Sequence, residues 1–343
     1  MWKTFGLCMK MDTVGIFFLY TEFSCNYIDF NIGNISIHHL AINGSSNNIS
    51  NNLLIVKMIN IVIILICLLG LLGNGRVIWL LGFNNKRNPF TTYIMNLSIA
   101  DFGVLTCLLG IASFVIALHW YGGSYAICLC FHIVLELLFF TYSSSQFLLT
   151  IISIDRCVAV LFPIWHWCHR PPYLSTVVCA IVWILSSLLS GIHFTFFVLK
   201  KYASTLFFYQ ITPNILLCAP LMIISTLTLF LKVCCKRKQH QRGKLVTAIL
   251  LTLLFFLLFC FPLNVSYVIR LSFYGDDLAF LLRWIGFACA SLNSSINPLI
   301  YFLVGRRQKK GRAKVSMKVA LERVFKDEQD TVEEETPMEE SHV

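Results

Sequence analysis

Seven stretches of mostly apolar residues, each long enough to cross a hydrocarbon core, decide what this chain can fold into. They run near 53–82, 91–118, 129–161, 173–197, 206–232, 246–271 and 279–304. Within lipid the backbone polar groups must be satisfied inside the segment, and a helix does that. The expected fold is an all-α membrane protein, a seven-transmembrane helix bundle over 53–304. Composition agrees, with 57% hydrophobic and 13% charged residues, where a soluble protein carries about a quarter charged. So much apolar content excludes disorder, and so little polar surface argues against a soluble enzyme.

Charge placement orients the bundle. Eight of the 17 acidic residues fall in 327–340, so the net +10 comes from basic clusters beside the spans rather than from a nucleic-acid surface. One side carries Lys86, Arg87, Arg170, Lys236, Arg237, Lys238 and the Arg306–Lys318 cluster. The other has no Lys or Arg in 119–127, though Lys200, Lys201, Arg270 and Arg283 lie near it. The positive-inside rule then puts the N-terminus outside and the C-terminus in the cytosol of a multi-pass plasma-membrane protein.

The flanking segments follow. Residues 1–52 form an outer N-terminal segment with three glycosylation sequons, at Asn34, Asn43 and Asn48. The same pattern at Asn96, Asn264 and Asn293 falls inside spans, where it should stay unused. The apolar run VGIFFLY near the N-terminus is short and follows Asp12, so a cleaved leader is not expected. Residues 305–326 read as a basic amphipathic helix lying on the inner leaflet, and 327–343 as an acidic disordered tail. Thr331, Thr336 and Ser341 are candidate phosphosites there. Most of the 14 cysteines sit in apolar segments and behave as small hydrophobes, with no zinc-like spacing.

Polar groups inside spans are costly and mark function. Asp101 lies mid-span, with Ser145 in span three and Asn293, Ser294 and Asn297 in span seven. A carboxylate with hydroxyl and amide oxygens suits a small hard cation such as sodium; mutual hydrogen bonding is the alternative. Asp155-Arg156 ends span three, where the arginine either pairs with its neighbour or points between helices. Pro298 breaks span seven, and Pro220 and Pro262 mark spans five and six, giving three places to bend.

Taken together these residues resemble the rhodopsin-like (class A) G-protein-coupled receptors. The shared set is Gly73-Asn74 with Val77, Asp101, Asp155-Arg156-Cys157, Trp183, Pro220, Pro262, and Asn297-Pro298 with Tyr301. Within that class GNGRVIWLLGF (73–83), RNPFTTYIMNLSIADF (87–102), the 155–183 segment and SLNSSINPLIYFLVG (291–305) are similar to Mas-related receptors. The segment KVALERVFKDE (318–328) resembles the Mas branch of that family more than its distant members. The resemblance implies no enzyme activity. It implies a peptide or small cationic ligand from outside, coupling to a heterotrimeric G protein, and arrestin as a further partner. Spans five and six would move outward and Arg156 would receive the G protein. Tyr301 and Asn297 would rearrange as the Asp101 ion site collapses.

Several positions depart from the usual class pattern. Cys260 stands where most members have a tryptophan, as is common in Mas-related receptors, and Thr228 stands in place of a span-five tyrosine. The acid that often opposes Arg156 from span six is absent and Arg242 lies in that region, which implies raised basal activity. The span-three disulfide position is Phe131, and 197–205 contains no cysteine. A bridge from Cys128 or Cys130 to Cys8 or Cys25, or free thiols, are the alternatives. Leu138 argues against an amine ligand and Ser291 against a retinal Schiff base.

The ligand contacts read from the sequence are Arg270, Asp276, Asp277 and Arg283 around the last outer loop, and Glu136. The acids would attract basic peptides and the arginines would hold a peptide carboxylate. Glu136 precedes Ser145 by nine residues, half a helical turn out of phase, and should face away from the bundle centre. Two other readings remain: a receptor-like protein that signals little, and a channel or transporter, which the absence of an internal repeat disfavours.

Overall fold

The computed structural model describes residues 46–83, 89–121, 125–171, 173–198, 212–235, 258–259, 263–264 and 277–306. Helix α1 spans Ser46–Gly82, α2 Pro89–Tyr121 and α3 Tyr125–Leu161. The short α4 covers Pro163–Cys168, followed by α5 at Leu174–Val198, α6 at Ala219–Cys235 and α7 at Asp277–Arg306. Apart from α4, these are the first five spans and the seventh. Most of the sixth lies outside the described residues. Among the described residues five helices are long and apolar enough to cross a membrane, and none of the residues is in a strand.

The boundaries differ from the apolar runs where polar residues prolong a helix. The apolar span at 53–82 matches the membrane-crossing stretch Leu54–Gly82, and α1 continues beyond it to Ser46 through the polar run SNNISNN. Hydropathy registers the stretch that lipid contacts, whereas backbone hydrogen bonding continues into water. Asn48 therefore falls within α1. At the other end of α3, Phe162-Pro163 breaks the helix as expected, but Pro163 also opens α4. Its fixed φ and missing N–H suit a first helical turn.

α3 is the central helix, packed on α2, α5 and α6, while α1 lies against α2 and α7. Its polar run explains its place: Ser143, Ser144, Ser145 and Gln146 are all buried. On α1 and α5 the apolar residues turn outward instead, with Leu65, Leu69 and Leu72 on one and Ile184 and Leu188 on the other exposed. Such faces suit lipid.

Two prolines shape the bundle by different means. Ahead of Pro220, Asn214–Cys218 form a single wide π-turn, in which the Ala219 N–H donates to the Asn214 carbonyl. This absorbs the bond that Pro220 cannot make. Pro298 sits inside α7 and frees the carbonyl of Ser294. Asn74 of α1 donates its amide to that carbonyl at 2.9 Å, and also to Gly70 at 3.0 Å. The neighbouring Gly73 makes room: a Cβ there would sit 3.2 Å from Pro298. Gly70 likewise faces Ser295, whose hydroxyl donates to the Ile66 carbonyl across the interface.

Candidate functional site

Asp101 lies in the middle of α2, fully buried. Ser145 of α3 donates to its Oδ1 at 2.7 Å, and Asn297 of α7 donates to Oδ2 at 2.8 Å. One carboxylate thus joins three helices. Ser294 and Asn293 are buried on α7 as well. The Asn74 Oδ1 beside them is buried and accepts no hydrogen bond. Tyr301, one turn beyond Asn297, is buried at 4% exposure. Of the sequence-derived polar set, Ser145 and Asn297 meet Asp101, Asn74 meets the Ser294 backbone, and Asn293 is buried on the same helix.

A second cluster forms where α3 ends. Asp155 and Arg156 are both largely enclosed, but their closest approach is 3.7 Å. The shorter pair is Asp155 Oδ1 with Arg170 Nη2, at 2.9 Å. Arg170 also meets His166 Nε2 at 2.6 Å and donates to the Ser175 hydroxyl at 3.0 Å. Arg156 lays its guanidinium over the Phe90 ring, 4.0 Å from the centroid. Cys157 donates its thiol to the Ser225 carbonyl of α6 at 3.1 Å, which ties α3 to the helix following the π-turn.

The sequence reading counted Arg170 only as a topological charge and passed over His166, Ser175 and Phe90. His166 and Arg170 are four residues apart across the end of a helix, which is a readable signal. The competition for Asp155 is not, because it depends on where the loop returns. Trp183 is placed by a bond that spacing does not show, donating to Asn96 of α2 at 3.0 Å.

The ligand residues are less gathered. Glu136 points away from Asp101, in keeping with its helical phase, and its carboxylate meets His193 Nδ1 of α5. Both are largely buried, so Glu136 does not reach out to water. Arg283 is buried in α7, and Asp277 is the first residue of that helix. Arg270, Asp276, Cys260 and Pro262 lie outside the described residues, as do Asn34 and Asn43. Pro220 faces outward, next to the π-turn. Cys130 is a free thiol, and Phe131 is buried edge-on against Phe114. Asn96 is part-buried and Asn264 and Asn293 are buried, so their sequons are enclosed.

The model of the family described as "7 transmembrane receptor (rhodopsin family)" matches residues 73–301, which contain both clusters. Human proto-oncogene Mas is 36% identical over 284 residues, covering 80% of this chain and 85% of that protein. The chain belongs to the rhodopsin family of receptors, in its Mas-related group. Mas-related G-protein coupled receptor member H of Rattus norvegicus is 37% identical over 274 residues, covering 77% of this chain and 82% of the relative. Member D of Homo sapiens is 35% identical over 279 residues, covering 79% and 86%. The family supplies the seven-helix bundle, including the sixth span, and a place in the plasma membrane as a multi-pass protein. This is a receptor and not an enzyme: it takes an extracellular ligand and couples to a G protein.

Proposed function

We propose that this Mas-related receptor takes a peptide or small cationic ligand at the end of the bundle where Asp277 begins α7. That end faces outward, with the N-terminus outside and the C-terminus in the cytosol. The ligand shifts the bundle between two packings, since a ligand moves an equilibrium only by binding one state better. The observation that carries the reading is the Asp101 cluster, in which α2, α3 and α7 share one buried carboxylate. Such a cluster has two discrete arrangements, whereas a packed apolar core resists continuous deformation. In the active packing Arg156 receives the G protein.

Sodium is the regulator this site suits. Ser145, Ser294 and Asp101 supply oxygens, and the unfilled Asn74 Oδ1 is a buried acceptor with no donor to meet it. Oxygen ligands of this kind match a hard cation. When bound, the ion neutralises Asp101 and favours the packing in which the three helices stay together. The ligand class is supported by the acids Asp276 and Asp277, paired in sequence beside Arg270 and Arg283. The arrestin reading is supported by the hydroxyls in the acidic tail.

The test is G-protein activation in cells given a panel of basic peptides and peptides with a free C-terminal carboxylate. Arg156→Ala, matched for surface expression, is the control. The expected result is activation by at least one basic peptide and its loss in the variant. Silence for the whole panel and every G protein, at good surface expression, would favour the reading of a receptor that signals little.

A further inference from the structure

A charged side chain that faces lipid is costly and rare. The crossing stretch of α1, Leu54–Gly82, contains two charged residues, Lys57 near its start and Arg76. Arg76 is exposed. The residues that share its face at helical spacing are Leu69, Leu72, Trp79 and Phe83, and all four are exposed as well. The opposite face carries Cys67 and Asn74 into the bundle, so Arg76 stands on the lipid side. Among the described residues it meets no carboxylate and makes no hydrogen bond.

Depth decides what can answer this charge. The 29 residues of the stretch span about 43 Å at 1.5 Å per residue, close to a whole bilayer with its headgroups. Arg76 lies six residues before Gly82, about 9 Å inside that end. Its side chain therefore reaches the boundary between acyl chains and headgroups, where the phosphates of the lipid begin. Trp79 and Phe83, one and two turns nearer the end, stack with ring centroids 4.5 Å apart. Gly82 beside them has nothing within 4 Å of where a Cβ would stand, which leaves that flank open. Trp79 brings an indole N–H to the same face. Lys86 and Arg87 follow the helix in sequence and keep the local charge positive.

We propose that Arg76, with Trp79 and Phe83, forms a site on the lipid face of α1 for the headgroup of an anionic phospholipid such as phosphatidylserine. The guanidinium donates paired N–H bonds to phosphate oxygens, and the two rings pack against the upper acyl chains. The bound lipid neutralises a charge that otherwise stands uncompensated beside hydrocarbon. The anionic leaflet is the cytoplasmic one, so the site's place in a cell rests on the reading that α1 ends on the cytosolic side.

The purified full-length receptor, reconstituted in vesicles of phosphatidylcholine and phosphatidylserine, supplies the test. One lipid or the other is brominated on its acyl chains, and bromine quenches a tryptophan next to it. The Trp79 signal is the difference between each receptor and its Trp79→Phe counterpart. The expected result is quenching that reports about fivefold enrichment of phosphatidylserine over phosphatidylcholine at Trp79, the preference that one arginine near a membrane surface supplies. Arg76→Gln is expected to bring the ratio close to unity, and Arg76→Lys to keep most of it. No preference in the wild type would mean that the charge is answered by water or within the chain, and overturns the proposal. Full preference in Arg76→Gln would assign the lipid to Lys86 and Arg87, and also overturns it. Both leaflets hold the same lipids, so the outcome does not depend on which way the receptor faces. Orientation is read separately from a tag placed after Val343: a tag open to the outside of intact cells would refute the cytosolic placement and leave the site standing.

Discussion

Asn74 illustrates how one side chain settles a backbone conflict at a distance. Pro298 takes away an N–H, and the carbonyl of Ser294 is met by the Asn74 amide from another helix. A buried acceptor left unmet costs about 1–3 kcal/mol. Asn74→Ala should therefore lower the unfolding midpoint of the purified receptor. Asn74→Asp keeps the shape but loses the donor, so it should lose as much; a midpoint close to wild type would show that volume, not the hydrogen bond, is what matters. Asp101 invites a different measurement. If sodium sits there, the wild-type midpoint should rise with sodium chloride more than with choline chloride, and Asp101→Asn should abolish the difference. The buried Glu136–His193 pair offers a third. Truncating one partner of such a pair strands the other, at about 3–5 kcal/mol, whereas an apolar replacement of both is often tolerated. His193→Leu should be poorer than Glu136→Leu with His193→Leu, read as the midpoint in one detergent.

At the scale of elements, glycines show which helix faces are closed. A side chain at Gly70 would strike Ser295 and Leu105, and one at Gly286 would reach within 2.8 Å of the Leu263 backbone in the sixth span. Gly191 on α5 has nothing within 4 Å. Gly70→Val should cost about 1–3 kcal/mol by overpacking the α1–α7 contact, while Gly191→Ala should gain about 0.5–1 kcal/mol by restricting the unfolded chain and favouring helix. Opposite shifts of the midpoint check both. The same contrast explains what the sequence disclosed. Apolar runs located the helices because lipid demands them, and Asp101, Ser145 and Asn297 stood out because polar groups in lipid are costly. The Asn74–Ser294 and Trp183–Asn96 bonds join residues 220 and 87 positions apart, and the Asp155–Arg170 ion pair reaches from a helix end into a loop. No periodicity along one helix records which face of another it will meet. The extension of α1 beyond its apolar run is silent in hydropathy for a related reason, since Ser46–Asn52 are helical without being apolar.

Over the whole molecule, charge at the cytosolic end of α3 biases the balance between the two packings. Arg156 stacks on Phe90 and pairs with Asp155 at 3.7 Å, while the sequence has no acid to oppose it from the sixth span and carries Arg242, a like charge, in that region. An acid there would have to be separated from Arg156 before the helices could part, and that separation would oppose activation. With an arginine in its place the term changes sign, and repulsion favours the open packing. The resting population of the active state should therefore be measurable, and basal nucleotide exchange should exceed that of Arg156→Ala. Arg242→Glu supplies the missing attraction and should lower basal exchange toward that floor while leaving the fully stimulated rate within about twofold, because a shifted equilibrium is overcome by a ligand with enough differential affinity. Raised ionic strength should blunt the difference between the two receptors, since partly exposed charges are screened over about 10 Å at 0.1 M salt. Equal basal exchange in wild type, Arg242→Glu and Arg156→Ala would mean that the inactive packing is held by contacts other than these charges, with the Asp101 cluster the first to test.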